Sequence, residues 1–411
     1  MPWTRRLLLA STVLVGLAAS AGAAEMKAEV IHWWTSGGES AAVKVFADKF
    51  TEAGGTWVDS AIAGGENARN QGINRIVGGN PPTAMQFNTG KQFDEIVANG
   101  FLGDLDEVAQ AGGWEKVLPA AIVDAAKRDG HWYAVPVNIH GINWLWFNEA
   151  LFKDNGIAAP KTWPEVLAAG EKLKAAGVIG LALGGQPWQE RTLFNSILVG
   201  HGGTELFYRL YRDKDLAALD EPKFREVADL FKSLQGLVDE GSPGRNWNDA
   251  TAMVITGKAG MQVMGDWAKG EFTAAGLTPG KEYGCVVVGE GGYLMGGDVF
   301  VFPKTSDPAA RAAQLKLAQV MLAPDTQIAF NMKKGSVPVR LDVDVSGMDA
   351  CAQAGVAALR DPAKQVPTTE FLISPDLTGA LDDVVTEFWN SKDETTDTFI
   401  EKYRGAFQSA G

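Results

Sequence analysis

Strands and helices alternate along this chain, and that order constrains the fold more than any other feature. Residues 29–34 read as a strand, broken by Ser36-Gly37-Gly38. Val43, Phe46 and Phe50 then repeat at helical spacing until Gly54-Gly55 closes the helix. Strand, helix, strand and helix follow over 56–62, 67–77, 83–87 and 91–99. Beyond an extended stretch at 132–138, strands are expected over 142–147, 178–183 and 260–264. Helices are expected after Trp163-Pro164, over 222–240, and around Trp267. Strands at 283–288 and 299–302 and helices at 308–322, 380–389 and 395–406 complete the pattern. This alternation predicts an α/β fold with largely parallel sheets. Two stretches interrupt it. Residues 289–297 are Gly-rich and predict a flexible or sharply turning connection, and residues 333–338 break the pattern again.

A chain of 411 residues is too long for one core and predicts two lobes. At its start, Arg5 and Arg6 precede an apolar run over 7–19 and the small residues 20–24. This is the three-part pattern of a secretory signal peptide, with cleavage after Ala21, Ala23 or Ala24. The run is too short to cross ~30 Å of hydrocarbon as a helix. No Cys follows it, so no lipid anchor is expected, and the mature chain should be soluble. A net charge of −13 argues against nucleic acid or an anionic membrane surface as partner. The two cysteines, Cys285 and Cys351, either pair in an oxidising compartment or stand as separate buried thiols. His32, His131, His140 and His201 show no metal-ligand spacing, and no cofactor motif is present. A His-Glu metalloprotease motif, a Gly-x-Ser-x-Gly elbow and a phosphate loop are also missing.

Trp33-Trp34-Thr35-Ser36-Gly37-Gly38-Glu39 resembles the opening of family-1 extracellular sugar-binding proteins, most of all the glucose-type binding proteins of bacterial importers. Further matches are Gly78–Pro82, Met85-Gln86, Tyr133–Asn138, Asn143-Trp144, Lys258–Met261, Gly265-Asp266-Trp267 and Lys334–Pro338. Their order covers nearly all of the mature chain. The resemblance implies a two-lobed periplasmic binding protein fold with three hinge crossings, near 135–138, 296–300 and 335–339. Residues 1–24 would be the signal peptide. Lobe one would comprise 25–135 and 297–335, and lobe two 136–296 and 336–411. Both cysteines then fall in lobe two, and the crossing scheme with an oxidising periplasm predicts a Cys285–Cys351 disulfide. The implied function is capture of a sugar, such as glucose or a similar hexose, by a monomer that delivers it to the permease and ATPase subunits of an importer.

A sugar has an apolar ring face and a polar rim, so its site needs flat aromatics and fixed polar groups. Trp33 and Trp34 follow the first strand, where open α/β sheets bind ligands. Adjacent strand residues face opposite ways, so one is expected to stack and the other to pack. Glu39 stands at a helix start, suited to accept hydroxyl hydrogen bonds. Gln86 and Asn88 end the third strand, and Lys91 reads as a solvated helix-start lysine. The resemblance adds Trp267, Asp298 and Lys334 as sugar contacts. Relatives often carry Lys or His where Asn88 stands, and a His near 369–374 where this chain offers Glu370. Two rival readings are a secreted glycoside hydrolase, with Glu39 and Asp298 as its carboxyl pair, and a binding protein for a non-sugar solute. Iron binders of this fold use adjacent tyrosines, and none of the six here adjoins another.

Overall fold

The computed structural model describes residues 26–410, so the signal-peptide expectation for 1–24 lies outside the described residues. The chain opens with β1 (Met26–His32), α1 (Gly37–Glu52), β2 (Gly55–Ala61), α2 (Gly65–Val77) and β3 (Ala84–Asn88). The short strands β4 (Ala134–Pro136) and β5 (His140–Gly141) lead into β6 (Trp144–Asn148). Next come α3 (Trp163–Ala175), β7 (Ile179–Ala182), α4 (Pro187–Ile197), β8 (Ala259–Val263) and α5 (Ala268–Ala274). The remainder includes β9 (Tyr283–Val287), β10 (Tyr293–Gly296), β11 (Asp298–Val301), α6 (Pro324–Lys334), α7 (Ala350–Leu359), β12 (Gln365–Pro367), α8 (Thr369–Leu372), α9 (Pro375–Asn390) and α10 (Thr396–Ala410).

Two lobes result, each with its own sheet. The first sheet has the order β2-β1-β3-β11-β4, and the second β9-β6-β8-β7. The expectation of largely parallel sheets needs correction. β1 pairs parallel with β2 and β3, yet β11 runs antiparallel to both β3 and β4. In the second sheet only β8 and β7 run parallel. The reason is connectivity: a strand that arrives from the other lobe is not held to the right-handed crossover that makes neighbours parallel.

The apolar cores divide the same way. One contains Val30, Phe46, Met85, Phe87 and Val135, then Val299–Phe302 and Phe330. Another runs from Leu145 through Phe194 and Phe231 to Val366, Phe388 and Phe407. The crossing segments are stitched together. β10 pairs with β12 and β5, and Ile139 bridges Val337. The Gly-rich stretch turns sharply over 289–292, with Gly289 and Gly292 at positive φ, before the rest departs from the expectation. It carries a buried strand, and its glycines permit close approach: a Cβ on Gly291 would lie 1.6 Å from the Val199 carbonyl oxygen. Helices α4, α6 and α7 went unread in the sequence.

Cys285 of β9 and Cys351 of α7 are joined, with Cα atoms 6.2 Å apart. The bond closes 66 residues, which in the chain-entropy account stabilises by about 4 kcal/mol before strain. Among the described residues no helix is long and apolar enough to cross a membrane.

Candidate functional site

The turn after β1 separates the tandem tryptophans. Trp34 N–H donates to His32 Nδ1 at 3.3 Å, while Trp33 N–H donates to Gln86 Oε1 at 3.1 Å. Trp34 then packs inward at 1% exposure, with its ring 5.3 Å from Phe330 and edge-on to Phe300 at 5.6 Å. Of the tandem pair Trp34 is the one that packs: it belongs to the core of lobe one. Trp33 stays half-buried, with the Arg69 guanidinium 5.7 Å from its ring centre. Gly65 makes room for that stack, because a Cβ there would sit 3.3 Å from Arg69 Nη1 and 3.5 Å from the indole.

Helix α1 starts against lobe two. Ser36 caps it, and the Glu271 carboxylate of α5 accepts from Ser36 Oγ at 2.7 Å and Gly38 N–H at 2.8 Å. A carboxylate there meets the positive end of the helix dipole. The approach demands glycine: a Cβ on Gly38 would lie 2.5 Å from the Gly270 carbonyl carbon. Glu39, one residue on, is buried and pairs with Lys334 Nζ at 3.0 Å. Lys334 ends α6, is 2% exposed, and lies 5.4 Å from the Trp34 ring and 5.8 Å from the Trp267 ring. Glu39 and Lys334 thus offer a paired, not a free, charge.

Asp298 heads β11 opposite Asn88 of β3. It accepts from Gln86 Nε2 at 2.9 Å and Asn138 Nδ2 at 2.8 Å, and meets His140 Nε2 at 2.9 Å. Burial pushes its carboxyl up, but the His140 hydrogen bond and charge, with Lys334 behind, bring it below its ordinary value. Gln86 bridges Asp298 and the Trp33 backbone, which makes it a support for other groups. Asn88 is half-buried, and its N–H is taken by Gln92 Oε1 at 3.0 Å. Lys91 is exposed and reaches across to the Leu372 carbonyl at 3.0 Å.

Lobe two contributes a group of half-buried indoles. Trp267, at the start of α5, lies 6.2 Å from Trp188 and 6.5 Å from Trp247, with His140 edge-on at 5.0 Å. Glu370 of α8 is bound by Arg191 at 2.7 Å, and Arg191 also holds Asp382 at 2.7 Å. Burial raises the Glu370 carboxyl, but Arg191 outweighs it and brings it down to about 2. Burial raises Asp382 to about 6, since Arg191 is shared with a second acid. Glu370's charge also acts on Arg69, whose guanidinium burial pushes below its ordinary value.

Sequence reasoning missed Arg69, Asn138, His140, Trp188, Arg191, Trp247, Asp266 and Glu271. The thirteen tryptophans were a signal for Trp188 and Trp247, and Asp266 stood inside a noted Gly-Asp-Trp motif. Arg69 and Arg191 sit at ordinary helical positions and gave none. No cluster of three or more His, Cys, Asp or Glu that could hold a metal occurs among the described residues.

Residues 34–328 match the family described as bacterial extracellular solute-binding protein. A probable sugar-binding periplasmic protein of Rhizobium meliloti (strain 1021) is 42% identical over 349 residues, covering 84% of each chain. One of Mesorhizobium japonicum, described in the same words, is 39% identical over 416 residues, covering 99% of each. Among solved structures, the bacterial solute receptor AcbH, described as having an exclusive preference for b-D-galactopyranose, superposes with a TM-score of 0.79. It is 19% identical, and the match covers 93% of this chain and 98% of that one.

Proposed function

Since this chain belongs to the bacterial extracellular solute-binding protein family, we propose that it is the sugar-binding periplasmic component of an ATP-driven importer. We further read its ligand as a monosaccharide of the hexose type, held between the lobes. The observation that carries this reading is the pairing of half-buried indoles with fixed polar groups from both lobes. Trp33 stands on one side and Trp267, Trp188 and Trp247 on the other. Indole faces match the apolar side of a sugar ring, and carboxylates, amides and ammonium groups match its hydroxyls.

Within this reading Trp33 and Trp267 stack, while Asp298, Glu39, Asn88, Lys334 and Glu370 meet hydroxyls directly or through reorganised pairs. Gln86 orients Asp298. Relatives described as probable sugar-binding periplasmic proteins support the ligand class. They also favour binding over the rival hydrolase. Export by residues 1–24, the lobe boundaries at 135, 297 and 335, delivery to permease and ATPase subunits, and action as a monomer belong to the same proposal.

A ligand that touches both lobes favours the closed form by its difference in affinity for the two forms. A thermal-shift screen across hexoses, pentoses and disaccharides tests the reading, because a ligand of the folded state raises the midpoint. Stabilisation by one or a few hexoses is expected. Stabilisation by disaccharides alone would overturn the monosaccharide assignment, and no response to any sugar would overturn the ligand class.

A further inference from the structure

One imidazole sits where the crossings meet, and both of its nitrogens end on carboxylates. His140 lies on β5, two residues beyond the first crossing, and is buried. Its Nδ1 meets Asp266 Oδ1, from the turn before α5, and its Nε2 meets Asp298 Oδ2 at 2.9 Å, at the head of β11 in the second crossing. The two carboxylates are themselves fixed. Asp266 Oδ2 accepts the Gly141 N–H at 2.8 Å, and the Asp298 N–H donates to Asn138 Oδ1 at 2.7 Å.

A neutral imidazole donates from only one nitrogen. The Asn138 amide nitrogen also lies 3.1 Å from Nε2 and can donate to a neutral ring, but only the doubly protonated ring donates to both carboxylates. The other charged or titratable groups around it are Lys334, whose charge acts on Asp298, and Tyr293, which feels Asp266. Lys269 lines the same small cavity as Asp266 and Tyr293. Trp267 covers the ring edge-on. Burial alone would lower the imidazole's proton affinity, but the charge and hydrogen bond of Asp266, then those of Asp298, raise it above the ordinary histidine value.

We propose that His140 is a positioning residue, which bridges Asp266 and Asp298 so that Asp298 is held to accept a sugar hydroxyl while two crossings stay tied to the cleft wall of lobe two. This rests on the reading of the cleft as a sugar site. Ligand affinity is then level while the ring is protonated and falls as pH rises through the folded-state value of His140. Deprotonation leaves one carboxylate facing a nitrogen lone pair, and the crossings lose their common tie.

Two measurements on the full chain test this. Histidine ring resonances, with His140→Gln identifying the signal, should show His140 keeping its proton to a pH above the ordinary histidine value. Calorimetry with the sugar found in the screen should show affinity falling about tenfold or more across the alkaline limb, on the scale of one proton-affinity unit. Circular dichroism should be unchanged over that range. His140→Gln, which keeps one donor, should bind more weakly and lose the pH dependence. If the variant does not fold, the wild-type profile decides. An affinity unchanged while the ring titrates, or a ring that loses its proton at an ordinary value, would overturn the proposal. If no sugar binds at all, the sugar reading fails, and the ring titration still judges the clamp.

Discussion

Beside the crossings, Lys334 meets Glu39 and His140 meets two carboxylates, whereas on the Trp33 side the Arg69 guanidinium lies over an indole with no hydrogen-bond partner among the described residues. The first region is closed on itself: its polar groups bind one another and are buried. The second presents an indole and five N–H donors that only a ligand or solvent can use. The contrast separates groups that set the geometry of the cleft from groups with capacity left for a ligand. Substitutions in the first region should therefore act on stability as well as on affinity, and those in the second on affinity alone.

The largest effect is expected at Trp34, which shares the structural character of the first region. Trp34→Ala removes an indole packed on Phe46, Phe300 and Phe330, and should cost about 3–5 kcal/mol of stability. Urea unfolding measures this. A variant that unfolds like wild type but binds no sugar would break the division and return Trp34 to the ligand.

Next in size is the buried ion pair. Lys334→Met leaves Glu39 charged and buried without its partner, at a cost of about 3 kcal/mol. Adding Glu39→Gln should recover part of that loss, and a double-mutant cycle by denaturation gives the coupling. Simple additivity would mean that the two groups act independently, contrary to their 3.0 Å contact.

Smaller changes in free energy, but in binding alone, are expected on the Trp33 side. Arg69→Ala should weaken sugar binding by about 1.5–3 kcal/mol, the range for hydrogen bonds to a charged group. Trp33→Ala should lose on the order of 1 kcal/mol or more of stacking. Thermal midpoints of both should stay near wild type. Calorimetry that finds full affinity in both variants would remove this side from the site.

The smallest effect concerns Asp382, whose folded-state value is raised to about 6. An acid raised on folding binds its proton more tightly in the folded state. Stability therefore increases as pH falls from neutral through about 6, on the order of 1 kcal/mol. Glu370, lowered from 4.5 to about 2, acts in the opposite sense, its stabilisation being lost as pH falls below about 4.5. Denaturation midpoints between roughly pH 5 and 7.5 should show the gain, and Asp382→Asn should reduce it. A slope unchanged in the variant would assign the gain to other groups.

Much of this molecule was legible in its sequence because the signals were local. Val43, Phe46 and Phe50 specify α1 by spacing alone, and Ser36 caps it through its own side chain. The strand–helix order along the first hundred residues gave β1 to β3 and α1 to α2 within one to three residues of their ends. Asp298, Lys334 and Trp267 were legible only through motifs shared with a family. Local patterns could not say that β11 runs against β3, since that depends on which lobe a strand comes from. Nor could spacing divide Trp33 from Trp34. That choice rests on hydrogen bonds to His32 and Gln86 and on the apolar wall of Phe46, Phe300 and Phe330. The sequence by itself determined the elements of the first hundred residues, the two-lobed division and the supply of aromatic and acidic groups, because these follow from periodicity, length and composition. Tertiary structure alone decided which charges are already paired. His140 and Asp298, on either side of a lobe boundary, are separated by 158 residues, and Lys334 and Glu39, both in lobe one, by 295; pairs at such separations form only when the chain has crossed between the lobes and folded back.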